Sequence, residues 1–275
     1  MAEIVAGRAL VPWMDDADRQ RLDRGDGAAP YPDYSAALAE RPPLDQSGVL
    51  ASLPADLAEH AAAVRASEGA QRMLREGWEI AWITDLRRVV AAQSRVTCET
   101  SPGDEPVPPA GDRLAVARLA LPLTAPPPTI VQELSEPDQT WTITSPNPNL
   151  RISGAFGGEV SPGVHGFGFL FSEMPSYLSV AECDGRLVLR DGYHRSFRLI
   201  AAGVVEAPAF VRRFARGETL LRGGRLPESA YLSERPPTLA DFHDDRFAID
   251  VRLQPRPTVA RVQASPAGLA IGTIA

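Results

Sequence analysis

The chain has 275 residues, 44% of them hydrophobic and 23% charged, the composition of a folded globular protein and not of a disordered one. Its formal net charge of −7 lacks the surplus of Lys and Arg that gives nucleic-acid binders most of their affinity, so no nucleic-acid partner is expected. Cys98 and Cys183 are the only cysteines and form no C-x-x-C pair, which points to a reducing compartment without a disulfide framework.

The four histidines (His60, His165, His194, His243) show no zinc-ligand spacing, and no metal centre is expected. The chain does not open with a basic start and an apolar run, and it holds no stretch of about 18 apolar residues. The expectation is a cytoplasmic protein with neither a secretory signal nor a membrane span.

In chain order, residues 1–50 mix an acidic, arginine-rich stretch with prolines at 30, 32, 42 and 43, and read as an irregular N-terminal arm. From Leu53 the pattern turns helical, with Leu57, Ala61 and Val64 on one face. A second helical run is predicted through Met73, Leu74, Trp78 and Ile80, although Trp82-Ile83 equally suits the opening of a strand. Residues 101–112 hold the strongest run of breakers and read as a domain linker or a long surface loop. The apolar runs Leu114–Leu123, Thr129–Val131, Thr140–Thr144 and Leu150–Ile152 read as short strands. Ser145-Pro-Asn-Pro-Asn149 reads as a rigid turn between two of them. Gly163-Val-His-Gly-Phe-Gly168 has the look of a glycine-rich flap without the spacing of a dinucleotide fingerprint.

Residues 175–211 carry the most information. Tyr177, Leu178 and Val180 favour a strand, Asp184-Gly185 is a hairpin signal, and Arg186–Arg190 alternates charged and apolar residues as the returning strand. After Asp191-Gly192, the residues Tyr193, Phe197, Ile200 and Ala201 share a helical face that ends at Gly203. Val204–Val211, interrupted by Pro208, reads as a third strand near a sheet edge. A helix start presents unpaired N–H groups and partial positive charge. Gly192 permits close approach, and His194 and Arg195 add donors suited to phosphate oxygens. Together they suggest an anion site.

The run PSYLSV…DGRLVLRDGYHRSFRLIAAGVVEAPAFV resembles the core of the ParB/sulfiredoxin superfamily, most closely the D-G-H-x-R form of free serine kinase-like members. The resemblance implies an α+β fold: a ParB/sulfiredoxin-like core, with a mixed sheet and a strand–turn–helix anion site, over residues 113–260. A mostly helical segment at 51–112 would precede it, after the arm, and a tail at 261–275 would follow. It implies a phosphate-contacting role for Gly192 and Arg195, with His194 and Asp191 matching the histidine and aspartate of the kinase-like branch. Tyr193 stands where sulfiredoxins carry their cysteine, and the arginine-rich box of partitioning proteins is absent, so neither activity is expected.

The functional expectation is a nucleotide-dependent phosphotransferase or phosphohydrolase acting on a small molecule, with ATP or another nucleotide and Mg²⁺ as cofactors. Asp191, His194 and Arg195 would be catalytic, and Gly192, Tyr193 and Ser196 would line the nucleotide. Glu159 and Glu173 are the candidates for an upstream acid. The alternative is a non-catalytic nucleotide sensor, or a scaffold or assembly protein on the same fold. In that case the turn is a plain junction, capped by Asp191, with Arg195 paired to a nearby carboxylate. The arginines at 212, 213, 216, 222 and 225 read as a solvated basic face. The acids of Asp241-Phe-His-Asp-Asp245 read as a helix start. The oligomeric state is left open.

Overall fold

The computed structural model describes the chain apart from residues 1–3, 25–29, 99–105, 125–129, 136, 138–139, 146–149, 174, 216–225, 255–257, 266–267 and 275. The fold is mixed α+β, and the chain divides into two units. The larger joins residues 3–123 to 176–254, and the smaller holds 124–175 with 255–275.

In the first stretch of the larger unit lie β1 (Val5–Leu10), α1 (Asp16–Gln20), α2 (Ser35–Glu40), β2 (Leu50–Ala51), α3 (Ala58–Ala66), α4 (Glu68–Arg75), β3 (Glu79–Ile83), β4 (Val90–Ala91), β5 (Arg95–Thr97) and α5 (Arg113–Ala120). The smaller unit follows with β6 (Val131–Ser135), β7 (Thr140–Ser145), β8 (Leu150–Ser161) and β9 (Val164–Glu173). The chain then returns through β10 (Ser179–Cys183), β11 (Arg186–Asp191), α6 (Tyr193–Ala201), β12 (Ala207–Arg213), α7 (Glu228–Tyr231) and β13 (Ala248–Leu253). It ends in the smaller unit with β14 (Thr258–Ser265) and β15 (Gly268–Ile274).

The larger unit is built on a six-stranded mixed sheet in the order β2-β3-β12-β10-β11-β4. Strand β10 runs antiparallel to β11 and parallel to β12, and β4 is parallel to β11. A second sheet, β13-β1-β5, is antiparallel throughout. The central strands are apolar on both faces: Val180, Ala181, Val188, Leu189, Ala209 and Phe210 are all fully buried. Hydrophobic burial of this kind is the main driving force for the fold.

Several elements follow the sequence pattern. Asp184 and Gly185 take positive φ values of 49° and 74°, as a two-residue hairpin turn demands. Gly203 at φ 78° stops α6, and the Val204 N–H closes back on the Leu199 carbonyl at 2.9 Å.

Others depart from it. The run at 114–123, read as a strand, is the helix α5. Asp112 caps it by accepting from Ala115 N at 3.0 Å, and Val116, Ala117, Leu119 and Ala120 give it a buried face. The second helical run stops at Arg75 because Gly77 turns the chain at φ 84°, and residues 79–83 become β3. Pro208 does not mark an edge: β12 lies between β3 and β10. The proline is tolerated because it pairs only with Trp82 of β3, while the pairing with β10 begins at Phe210.

The N-terminal segment is not a separate arm. Strand β1 is the middle strand of its sheet, and Arg41 forms a buried ion pair with Asp241 at 2.5 Å. The Arg41 guanidinium also lies over the rings of Trp13 and Phe247. Gln46 extends the sheet by proxy: its amide nitrogen donates to Leu187 O at 3.0 Å and its oxygen accepts from Leu187 N at 2.8 Å. The expected single domain at 113–260 is therefore interrupted by the smaller unit and completed by residues from the N-terminal side. Most of the 101–112 breaker segment and the 146–149 turn lie outside the described residues.

In the smaller unit, β15-β14-β7-β6 form an antiparallel sheet, and β8 and β9 form a separate long hairpin. The residues read as a tail, 261–275, supply most of β14 and all of β15. The apolar cluster described here is small: Ile143 and Leu150, with Ile130 and Phe171 packed against them.

Candidate functional site

The Asp191–Arg195 turn joins β11 to α6, as the sequence suggests, and each of its side chains has a defined partner. Gly192 is the residue that precedes the helix, at φ 95° and ψ 21°. A Cβ at this position would lie 2.7 Å from Leu178 Cδ1 and 3.3 Å from Leu178 Cα, so the glycine is required by the close approach of Leu178, the residue before β10. Asp191 is exposed. Its Oδ1 accepts from the Gly192 N–H at 2.7 Å, which occupies the amide expected to face an anion.

Tyr193 is buried, with its side chain directed into the protein. Its hydroxyl donates to Leu189 O at 2.5 Å and accepts from Ala92 N at 2.9 Å and Gln93 N at 3.2 Å. The phenol thus continues the β4–β11 junction past the point where the short strand β4 ends. Ser196 is fully buried in the first turn of α6, and among the described residues its hydroxyl has no hydrogen-bond partner. These positions suit packing, and the nucleotide-lining role expected of Tyr193 and Ser196 is not what their burial provides.

His194 is exposed and tied to β5: its Nδ1 accepts from Thr97 N at 3.0 Å and lies 2.8 Å from Thr97 Oγ1. Acceptance of a backbone N–H fixes the tautomer, with the proton on Nε2. Arg195 is half-buried, and its Nη1 donates to Ser176 O at 2.9 Å and Ala120 O at 3.2 Å. The Ala120 carbonyl also accepts from Leu178 N at 2.9 Å. Sequence reasoning identified Arg195 as a residue with a task but missed these partners, because main-chain carbonyls leave no mark in a motif.

Comparison with protein-family models, with curated proteins and with solved structures gives no match.

Glu159 lies near the tip of the β8–β9 hairpin, where its Oε1 accepts from Gly163 N at 3.0 Å; the Glu173 side chain lies outside the described residues. His165 pairs across the same hairpin with Glu159. Arg213 pairs with Glu182 at 3.0 Å and Arg212 covers the Phe214 ring, while residues 216, 222 and 225 lie outside the description.

The acidic run at 241–245 is distributed among three arginines. Asp241 takes Arg41 and caps the turn at Thr238, Asp244 takes Arg246 and Asp245 takes Arg8. The Arg246 guanidinium, together with the nearby main chain, holds the Asp244 carboxyl below the usual carboxylate range. Among the described residues no group of three or more His, Cys, Asp or Glu side chains is placed to hold a metal ion, and no helix is long and apolar enough to cross a membrane. A cleft of about 260 Å³ is lined by Trp82, Arg113, Val116 and Glu206 among others, at the C-terminal end of α6 and away from the Asp191–Arg195 turn.

Proposed function

We propose that this chain is a non-catalytic assembly protein: a ParB/sulfiredoxin-like core in which the anion-type turn serves as a structural joint, and which carries an inserted β unit. The observation that carries this reading is the pair of bonds made by Arg195. Ala120 and Ser176 stand on the two strands of chain that lead into and out of residues 124–175. The guanidinium that would neutralise a phosphate binds both of their carbonyls. A cation spent on main-chain oxygens is directed toward neutral dipoles of the fold, and Asp191 places a carboxylate beside the Gly192 amide, which opposes a second anion there.

The inserted unit supports the same reading. Phe156, Val160, Val164, Phe167 and Leu170 of its hairpin are 54–74% exposed, an apolar concentration of the kind that marks interaction surfaces.

A second reading, a nucleotide-dependent phosphotransferase or phosphohydrolase, is favoured by one observation: Asp191 and His194 are both exposed at the start of α6, with the His194 proton held on Nε2. That pair retains an acid–base capacity that burial denies to Tyr193 and Ser196.

Thermal-shift measurements with ATP, ADP, CTP, GTP and pyrophosphate, each with Mg²⁺, separate the two. A ligand specific for the folded state at 100 times its Kd adds about 2.7 kcal/mol of stability. The assembly reading expects no shift with any of them. A shift in the wild type that is lost in His194→Ala would overturn it in favour of the nucleotide enzyme.

A further inference from the structure

The β8–β9 hairpin has two unlike edges. Strand β8 carries two irregularities in its pairing, between Ile152 and Gly154 and between Glu159 and Ser161. Bulges of this kind twist an edge and spoil it as a template for further pairing. Strand β9 advances without a skipped residue from Val164 to Glu173, and no strand pairs with its outer edge among the described residues. From Gly166 to Ser172 it contains no charged residue and no proline, so it lacks the usual devices that keep an edge from pairing.

Both faces of the hairpin are apolar. Side chains alternate across a strand, so the cross-strand pairs Gly154–Leu170, Phe156–Gly168 and Gly158–Gly166 share one face. Ala155–Phe169, Gly157–Phe167 and Glu159–His165 share the other. Phe156, Phe167 and Leu170 each lie over a glycine of the opposite strand: a Cβ on Gly168 would meet the Phe156 ring at 2.5 Å, and one on Gly157 would meet Phe167 Cβ at 3.5 Å. Phe156 and Phe167 nevertheless remain 61% and 63% exposed. A two-stranded hairpin is marginal in water by itself and gains independent stability from a third strand or a covering layer.

We propose that β9 pairs antiparallel with β9 of a second copy of this chain, about a two-fold axis at Gly168, to form a four-stranded β8–β9–β9–β8 sheet across the dimer. This deepens the assembly reading and rests on it. In that register Phe167 of each copy faces Phe169 of the other, which gives two cross-strand aromatic pairs on one face. On the opposite face Leu170 faces Gly166 of the second copy, so bulk meets a gap. No like charges oppose one another between positions 166 and 170, as an isologous interface requires. The blunted β8 edges stop growth at two copies. A lone hairpin inserted in a bilayer would leave the outer N–H and C=O groups of both strands unsatisfied in hydrocarbon, which disfavours lipid as the covering layer.

Sedimentation of the full chain at tens of micromolar, without detergent or lipid, is expected to give a dimer. Phe167→Glu and Phe169→Lys each place a charge in the aromatic pair and are expected to weaken dimerisation about 100-fold or more. An equimolar mixture of the two variants is expected to recover the dimer, because the two new charges face one another while the second aromatic pair is kept. Hydrogen exchange on the wild type gives a readout that needs no variant: β9 amides gain protection as concentration rises, and the outer amides of β8 do not.

A wild type that sediments as a monomer, or as a species larger than a dimer, overturns the proposal. So does a mixture that stays monomeric, or a monomer that binds neutral phosphatidylcholine vesicles. Any of these results combined with a silent nucleotide panel sinks the β9 pairing alone, whereas a nucleotide shift sinks the assembly reading itself.

Discussion

Arg195 holds the carbonyl of Ser176 at 2.9 Å, three residues before β10 begins, and so fixes the place where the chain re-enters the larger unit. The same nitrogen reaches Ala120, the last residue of α5, so one side chain fastens both points at which residues 124–175 leave and rejoin it. Hydrogen bonds from a charged donor contribute more than neutral ones, and a carbonyl stripped of its donor pays for desolvation. Arg195→Ala is expected to lower unfolding stability by about 2–3 kcal/mol in the absence of any ligand. Arg195→Lys restores part of this, since an ammonium lacks the planar fork. Urea denaturation measures both. A stability unchanged by Arg195→Ala contradicts the clamp and returns the guanidinium to a ligand-facing role.

Tyr193→Phe tests the other half of the turn. Removal of one hydroxyl deprives the Leu189 carbonyl of its donor and the Ala92 and Gln93 amides of their acceptor, all close to the fully buried end of β4. The expected loss is about 2–4 kcal/mol, several times that of a surface hydroxyl. Amide exchange at Ala92 and Gln93 is expected to accelerate selectively. An unaltered exchange rate at both residues contradicts the bridging role.

Arg41 and Asp241 form a buried pair, with side-chain exposures of 13% for the base and 7% for the acid. Asp241 also accepts from Thr238 N at 2.6 Å, so its carboxylate is fixed by the fold whether or not the arginine is present. Loss of one partner from such a pair leaves a buried charge without compensation. Arg41→Ala is therefore expected to cost about 3–5 kcal/mol, and Arg41→Ala with Asp241→Asn less than Arg41→Ala alone. A double-mutant cycle by chemical denaturation reads this directly. Additive losses show that the two side chains do not interact.

The sequence made the local course of residues 175–211 legible because short-range chemistry governs it. The Asp184-Gly185 turn, the helical face of Tyr193 and Ile200 and the stop at Gly203 are all decided within a few residues of one another. What lay beyond reach was long-range. Arg41 finds Asp241 across two hundred positions, and β1 takes strands near residues 96 and 250 as neighbours. Neither leaves a local pattern.

The run at 114–123 misled because alternating Ala, Val and Leu suit a buried strand or a buried helix equally, and only the Asp112 cap separates them. At the turn, the residue types were right for an anion and right for a joint. Which one they serve depends on where Arg195 and Tyr193 point, and that is set by α5, β4 and β10.

Ser196 is the sharpest test of what the first turn of α6 is for. Its hydroxyl is fully buried without a hydrogen-bond partner among the described residues, a state that costs about 1–3 kcal/mol, and its helical position favours alanine by a few tenths of a kcal/mol more. Ser196→Ala removes the polar atom and keeps the volume nearly unchanged. It is expected to raise stability by about 0.5–2 kcal/mol, with the urea slope m unaltered. A buried serine that reaches a bound phosphate would behave otherwise: its loss would be neutral in the free protein and would weaken the thermal shift given by a nucleotide. Stabilisation without any ligand response therefore places Ser196 in the packing of the joint, and loss of a nucleotide shift places it in a binding site.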